Sequence, residues 1–316
     1  MKLPDFFIIG AAKAGTTSVH AVLAQHPDIY MPPQKEPEFF ARDDLYEQGI
    51  ETYSKLFKAA RANQFIGEAS PIYSLQGFFP DAAKRIAMHC PKAKIIYILR
   101  DPVERAYSYY VQLTKNYQNW SGDRNIHRSF EDFIFPDRHA KAAPRGKAFA
   151  GFDSHLPDSP ELCLDGSRYV LQLEQYLKYF PREQICVLKF EDYKNPARRA
   201  AFFSRLTEFL ELEKMPDAAL FDENSRKNIS NDHFRKQAEL EKIDRLKARL
   251  GAVWWVKQVI PQLLRRKARH FALNFMKTEG LNLEPPAMEP ETREFLIREF
   301  QQQDNALEAL TGIRYY

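Results

Sequence analysis

The chain alternates short apolar runs with longer stretches in which apolar residues recur every three or four positions. Four apolar runs predict strands: "DFFIIG" at 5–10, "QFIGEAS" at 64–70, "KAKIIYILR" at 92–100 and "REQICVLKF" at 182–190. Continuous apolar character over about five residues is typical of parallel strands that are covered on both faces. The pattern therefore predicts a buried parallel sheet.

Helical patterns follow these strands. "TTSVHAVLAQHP" at 16–27 ends at a proline, and "DPVERAYSYYVQL" at 101–113 begins with an aspartate, a proline and a glutamate arranged as a capping box. The segments 195–212 and 289–313 predict a long helix and a terminal amphipathic helix with one bend. Strands that alternate with helices indicate an α/β fold, a P-loop-like doubly wound parallel sheet flanked by helices. Its ligand is expected at the carboxyl ends of the strands.

Two stretches interrupt the alternation. Residues 116–166 lack periodicity and are rich in Gly, Pro, Asp and Ser, so we expect long surface loops over the ligand site. Residues 232–277 hold twelve lysines and arginines against four acidic residues, around the apolar section "VWWVKQVIPQLL". That segment predicts either a helical hairpin packed on the core or a surface for anionic lipid or a polyanionic glycan. We treat 1–316 as one domain, with 232–277 as a basic helical insertion in its C-terminal part.

Composition limits the classes of protein to consider. With 44% apolar and 28% charged residues in 316, the chain is typical of a globular enzyme-sized domain. The formal net charge of +4 decides neither for nor against nucleic acid, and we expect no nucleic-acid partner. The three cysteines suit neither a zinc site nor a disulfide framework, and the first apolar run is too short for a signal peptide. We expect a cytoplasmic protein, peripheral at the inner membrane surface where 232–277 binds lipid.

The segment "GAAKAGTT" at 10–17 departs from a nucleotide P-loop in one respect. Gly10 and Gly15 keep the P-loop spacing, but Thr16 stands where the lysine belongs and Lys13 lies two residues before Gly15. Backbone N–H groups at a helix start, threonine hydroxyls and a lysine together predict an anion site. A P-loop kinase remains an alternative, although it would need Mg²⁺ and would leave the position of Lys13 unexplained.

Three motifs together resemble those of sulfotransferases that use 3′-phosphoadenylyl sulfate (PAPS). "IIGAAKAGTTSV" is similar to their 5′-phosphosulfate loop, and "ILRDPVERAYSYY" to their 3′-phosphate signature, an arginine at a strand end and a serine eight residues later. "GEASPIY" at 67–73 resembles a stretch of the enzymes that sulfate glycosaminoglycans. The resemblance implies a PAPS-dependent carbohydrate-type sulfotransferase that uses no metal.

The same resemblance implies roles for named residues. Lys13 would contact the bridging oxygen and the sulfonate, while Arg100 and Ser108 would bind the 3′-phosphate. Glu68 matches the general base of the glycosaminoglycan-type enzymes, although Ala69 stands where those enzymes often have a lysine. The remaining donor contacts would come from the loop residues Ala14, Gly15, Thr16, Thr17 and Ser18.

Further contacts are expected at the edges of the site. Lys35, in "QKEPEFF", is a candidate for the sulfonate and the acceptor. Many relatives close the 3′-phosphate site with a basic-glycine pair before the last helix, whereas this chain has "KTEGLNLEPPAM" there. Arg226 and Lys227 are candidates to replace that pair, unless the strand-end arginine and its serine bind the phosphate alone. The acceptor, a glycan, glycolipid or small molecule, stays open, as does a non-catalytic nucleotide- or glycan-binding protein of the same fold.

Overall fold

The computed structural model describes residues 1–121, 129–135, 161–213 and 287–316. Within these ranges the sheet has five strands: β1 (Phe6–Gly10), β2 (Ile29–Tyr30), β3 (Phe65–Ala69), β4 (Lys94–Leu99) and β5 (Ile185–Lys189). Their order across the sheet is β2-β3-β1-β4-β5, and every neighbouring pair is parallel. The predicted α/β fold with a parallel sheet is confirmed, and β2 is a two-residue strand that the apolar pattern did not indicate.

Helices connect and flank these strands. In chain order the described helices are α1 (Thr16–Leu23), α2 (Asp43–Tyr46), α3 (Ile50–Ser54), α4 (Ala82–His89), α5 (Pro102–Ser121), α6 (Phe130–Ile134), α7 (Glu161–Leu164), α8 (Tyr169–Leu177), α9 (Phe190–Lys194), α10 (Pro196–Leu210), α11 (Pro290–Gln301) and α12 (Asp304–Thr311). The terminal amphipathic segment is broken between α11 and α12, as predicted.

The apolar runs became the central strands because both faces of the sheet are covered. All five residues of β1 are buried, and Phe6, Ile8 and Ile96 have no exposed surface. Complete burial of such a side chain stabilises the fold by about 1.5–3 kcal/mol relative to exposure. The middle of the sheet is therefore a rigid support for whatever its strand ends carry.

The start of α5 is capped differently from the predicted box. The backbone N–H of Glu104 donates to Oδ1 of Asp101 at 2.9 Å, so the predicted cap is confirmed. The backbone N–H of Asp101 donates to Oε1 of Glu191 at 3.0 Å, and the side chain of Glu104 pairs with Arg293 instead. The predicted bond from the backbone N–H of Asp101 to the side chain of Glu104 was wrong, because that N–H donates to Glu191 of α9 instead.

The expectation of long loops over 116–166 is wrong wherever the structure describes that stretch. The helix α5 continues to Ser121, and α6 and α7 are helical. Phe130 and Cys163 are fully buried in a second apolar cluster that includes the first half of α5. The helices α6 and α7 are too short to show a sequence period. The parts 122–128 and 136–160, like the whole basic segment 232–277, lie outside the described residues.

The strand order creates a switch point beside β1. From β1 the chain moves through α1 toward β2 on one side, and from β4 it moves toward β5 on the other. In open α/β sheets ligands bind in the crevice at the carboxyl ends of two such strands. The loop after β1 and the residue after β4 meet there, and the end of β3 lies on the other side of β1.

Candidate functional site

The loop between β1 and α1 makes a tight left-handed turn. Gly15 has φ +79° and ψ 14°, and Lys13 has φ +74°, an unusual conformation for a residue with a Cβ. A Cβ on Gly15 would stand 2.6 Å from the ring of Phe190, so only glycine fits at this point. The turn leads directly into the first residues of α1, and the start of a helix, with its N–H groups and positive dipole end, favours anions. This geometry suits an anion.

Arg100, directly after β4, is fixed against that loop. Its Nη1 donates to the backbone carbonyl of Lys13 at 3.1 Å, and its guanidinium lies 5.6 Å from the ring centre of Phe190. The backbone carbonyl of Arg100 accepts a hydrogen bond of 2.6 Å from the hydroxyl of Tyr169. The structure thus brings together the two predicted cationic residues at the switch point.

The helix α5 supplies a second contact to the loop. The Nζ of Lys13 donates to Oε1 of Gln112 at 3.1 Å. Ser108, predicted for the 3′-phosphate, is 5% exposed and lies one helical turn before Gln112. Residues four apart share a helix face, so both side chains belong to the face of α5 that meets the loop. Sequence reasoning missed Gln112, although its spacing from Ser108 was a usable signal.

Glu68 lies near the carboxyl end of β3 and has no exposed surface. Its Oε2 accepts hydrogen bonds from the hydroxyls of Tyr53 at 3.0 Å and Tyr73 at 2.8 Å. Its Oε1 is buried and accepts a hydrogen bond from neither tyrosine. The strand register sets Glu68 opposite Phe7 of β1, seven residues before Ala14 in the anion loop. The predicted base is therefore one strand away from that loop.

The environment of Glu68 changes its protonation. Burial raises the pKa of Glu68 to about 7, and the hydroxyls of Ser70, Tyr73 and Tyr53 limit this rise by stabilising the charged form. The charge of Glu36 raises the pKa further. A carboxyl group with a pKa near neutrality exchanges protons readily at the working pH of most enzymes, which suits a general base. The catalytic role itself stays a prediction.

The segment that contains Lys35 packs against the end of β3. The backbone N–H of Glu36 donates to the carbonyl of Ala69 at 3.2 Å, and that of Glu38 donates to Oγ of Ser70 at 3.1 Å. The Nζ of Lys35 pairs with the carboxylate of its neighbour Glu36. The segment with Lys35 therefore lies beside the carboxyl end of β3, the strand that carries Glu68, and the contact of Lys35 with sulfonate or acceptor stays a prediction.

Asp101, two residues after β4, is a strand-end carboxylate that a kinase could use for Mg²⁺. Besides capping α5, both of its oxygens lie 3.0 Å from the hydroxyl of Tyr316. Its contacts are those of a structural cap, which weighs against metal binding. The other predicted phosphate ligands, Arg226 and Lys227, lie outside the described residues, and their role stays a prediction.

The sulfotransferase domain family matches residues 3–279 of the chain. The chain belongs to this family. A solved sulfotransferase from Alicyclobacillus acidocaldarius has the same fold, with a TM-score of 0.61, 25% identity, and coverage of 100% of this chain and 98% of that one. The predicted family and enzyme class are confirmed, and they decide against the kinase.

Curated relatives of this sulfotransferase match over part of their length. Human bifunctional heparan sulfate N-deacetylase/N-sulfotransferase 3 is 33% identical over 194 residues, which is 59% of this chain and 20% of that protein. Membrane-associated sulfotransferase kil1 of Dictyostelium discoideum is 40% identical over 111 residues, 34% of this chain and 22% of that protein. The chain thus spans about a fifth of the length of these relatives. No helix in the described part of the sulfotransferase is long and apolar enough to cross a bilayer.

Proposed function

We propose that this sulfotransferase moves the sulfonate group of PAPS to a hydroxyl or amine of a carbohydrate or glycolipid acceptor. One observation carries the proposal: Arg100 and Lys13 are joined by a hydrogen bond at the switch point, with a buried carboxyl group on the next strand. Two cationic groups and a helix start suit a donor with separate phosphate and phosphosulfate ends.

The residues of the crevice divide between the two ends of the donor. The N–H groups at the start of α1, with the hydroxyls of Thr16 and Thr17, bind the 5′-phosphate, and Lys13 lies over the bridging oxygen. Arg100 offers the planar pair of donors that matches a phosphate, and Ser108 adds a hydroxyl from α5. The same crevice would hold adenosine 3′,5′-bisphosphate after transfer.

The reaction is an in-line displacement at sulfur. The acceptor oxygen or nitrogen forms a bond to sulfur while the bond from sulfur to the bridging phosphate oxygen breaks. The acceptor proton goes to Glu68, and adenosine 3′,5′-bisphosphate leaves with the bonding electron pair. Lys13 stabilises the negative charge that develops on the bridging oxygen, an effect that is worth most in the transition state.

The acceptor reaches Glu68 only when part of its surroundings moves, because Glu68 has no exposed surface. The segment 35–38 lies against the end of β3 through two hydrogen bonds, to Ala69 and Ser70. Displacement of this segment, which includes Lys35, would open Glu68 to the acceptor.

A carbohydrate acceptor is favoured by the relatives. The printed name of the human relative describes an N-sulfotransferase of heparan sulfate. Here Ala69 follows the base, so the acceptor contacts differ from those of enzymes that have a lysine at that place. We propose that the basic segment 232–277, which lies outside the described residues, brings the protein to an anionic lipid or glycan surface. Co-sedimentation with phosphatidylserine vesicles, with and without 232–277, tests this part; equal recovery in the supernatant contradicts it.

Transfer of radiolabelled sulfonate from PAPS tests the main proposal. The acceptors are N-desulfated heparan sulfate, which offers amines, and a fully N-acetylated form, which offers only hydroxyls. We expect label in at least one glycan with the native protein, and at most a small fraction of that rate with Glu68→Gln. Calorimetry should show adenosine 3′,5′-bisphosphate binding to both proteins more tightly than ATP. Full turnover by Glu68→Gln would contradict the role of the base, and preference for ATP would contradict the donor.

A further inference from the structure

Two tyrosines from different elements converge on one oxygen of Glu68. Tyr53 comes from α3 and Tyr73 from the turn after β3, and both hydroxyls donate to Oε2. The two tyrosines are 3% and 1% exposed, so water does not compete for these hydrogen bonds. A carboxylate oxygen has two lone-pair directions, and at Oε2 both are taken.

The hydroxyl of Tyr73 is oriented by a backbone donor. The backbone N–H of Phe40 points at the oxygen of Tyr73 at 3.3 Å, and because an N–H can only donate, the Tyr73 oxygen accepts there. Its own hydrogen is then directed to Glu68. The hydroxyl of Tyr176 donates to the backbone carbonyl of Tyr73 at 3.1 Å and holds the turn in place.

Tyr53 is fixed by aromatic packing. Its ring is stacked on that of Phe39, with 4.4 Å between the centroids and 13° between the planes, and it meets Phe40 edge-on at 5.1 Å. Such contacts between buried rings hold the phenol in one orientation. Both donors are therefore rigid, and the carboxyl group of Glu68 has little freedom to rotate.

We propose that Tyr53 and Tyr73 are positioning residues that occupy Oε2 of Glu68 and so reserve Oε1 as the atom that takes the acceptor proton. Oε1 is buried and receives neither of the two tyrosine hydroxyls, so it is the oxygen left for the acceptor proton. The inference rests on the proposed function of Glu68 as base. It adds which oxygen acts and which side chains select it.

Other groups also face this carboxyl group. Glu36 contributes a like charge from the segment before β3, and Ser70 contributes a hydroxyl. Cys90 at the end of α4 and Tyr176 on α8 are close enough to interact with Glu68. Burial raises the pKa of Cys90 to about 12 and that of Tyr176 well above its usual value, so both are neutral through the pH range of the test.

The test uses Tyr53→Phe and Tyr73→Phe, each of which removes one hydroxyl and keeps the ring. A lost donor to the charged form raises the pKa of Glu68. Below this pKa, kcat/KM falls about tenfold for each unit of upward shift, because the fraction of ionised base falls in proportion. The acid limb of the pH profile should therefore move to higher pH in each variant, and KM for PAPS should stay unchanged.

Tyr97→Phe is the matched control. Tyr97 is a fully buried tyrosine of β4 that makes no hydrogen bond to Glu68, so its removal tests the general effect of losing a buried phenol. We expect its pH profile to coincide with that of the native protein. The same shift in Tyr97→Phe as in the two other variants would overturn the inference.

A second readout does not depend on turnover. The carboxyl carbon of Glu68 is titrated by NMR in protein labelled with ¹³C-glutamate, and Glu68→Gln identifies its signal. An upward shift of this titration in Tyr53→Phe or Tyr73→Phe supports the positioning contacts; an unmoved titration in both overturns them. If the titration moves but the native protein transfers no sulfonate, the proposed function fails while the contacts stand. Should Tyr73→Phe not fold, Tyr53→Phe alone decides the outcome.

Discussion

Arg100 donates a hydrogen bond to the backbone carbonyl of Lys13, with 3.1 Å between Nη1 and the oxygen. The side chain after one strand thus fixes the loop after the neighbouring strand. Under the proposed function, the residues assigned to the two ends of the donor are in contact with each other. A substitution at one end is therefore expected to change the affinity for the other end as well.

Arg100→Ala should weaken binding of adenosine 3′,5′-bisphosphate by about 10- to 100-fold, since a hydrogen bond to a charged group contributes about 1.5–3 kcal/mol. Affinity for adenosine 5′-phosphosulfate, which lacks the 3′-phosphate, should fall less. Isothermal titration calorimetry with both ligands measures the difference. Arg314→Ala, which removes an exposed arginine near the chain end, is the control. Equal losses for the two ligands would mean that Arg100 acts only through the loop.

Lys13→Asn should lower kcat by about 100- to 1000-fold, because the charge on the bridging oxygen develops only in the transition state. Asparagine tolerates the left-handed backbone at this position better than most residues, so the loop should keep its shape. Binding of adenosine 3′,5′-bisphosphate should change less than about tenfold, because the product lacks the sulfonate that Lys13 contacts. Sulfonate-transfer kinetics and calorimetry measure the two effects. Lys194→Asn, at an exposed lysine, should leave both unchanged, and a parallel loss of kcat and binding in Lys13→Asn would argue for a purely structural lysine.

Gly15→Ala and Gly312→Ala form a matched pair. Both glycines are left-handed, at φ +79° and +72°, but a Cβ on Gly15 meets the ring of Phe190 and a Cβ on Gly312 meets no atom within 4 Å. We expect Gly312→Ala to cost about 1–2 kcal/mol from the backbone alone, and Gly15→Ala to cost about 2–5 kcal/mol with the clash added. Urea unfolding gives both values. Similar losses of unfolding free energy in the two variants would show that the ring of Phe190 moves aside easily and does not constrain the loop.

Glu68→Gln should change how stability depends on pH. The pKa of Glu68 is raised from 4.5 to about 7 in the folded state, so between these values the folded protein holds a proton that the unfolded chain has lost. The stabilisation that this group contributes is therefore fully present below about pH 4.5. It amounts to about 3 kcal/mol and is lost as the pH rises toward 7. The variant should lack this pH-dependent component. The free energy of unfolding of the variant minus that of the native protein should therefore increase as the pH rises from 5 to 8. Glu174→Gln, at an exposed site on α8, should show no such trend.

The sequence predicted the candidate residues at strand ends from two sources, the strand pattern and the resemblance to sulfotransferase motifs. Lys13, Arg100 and Glu68 each come within a few residues of the end of an apolar run, and parallel strands bring such ends to one edge. Tyr53 was not predicted, since it reaches Glu68 from a five-residue helix separated from β3 by a turn. A contact between side chains of two separate elements depends on how those elements pack in three dimensions. The order of apolar and polar residues along the chain does not show this.

The strand β2 and the helices α6 and α7 were missed for a related reason. Elements of two to five residues give no measurable period, and their place is decided by the larger elements they pack on. Gln112 is different: its distance of four from Ser108 on a predicted helix already placed it on the same face. It could have been found from the sequence by following that face one turn further.

The position of β1 also bears on how the chain is made. Its residues are synthesised before those of its partners β3 and β4, which are encoded about 60 and 90 residues later. At synthesis rates of 5–20 residues per second, the apolar segment 6–10 waits on the order of ten seconds for its second neighbour. Until translation passes residue 99 this segment is exposed to aggregation, and we expect it to need shielding by a chaperone.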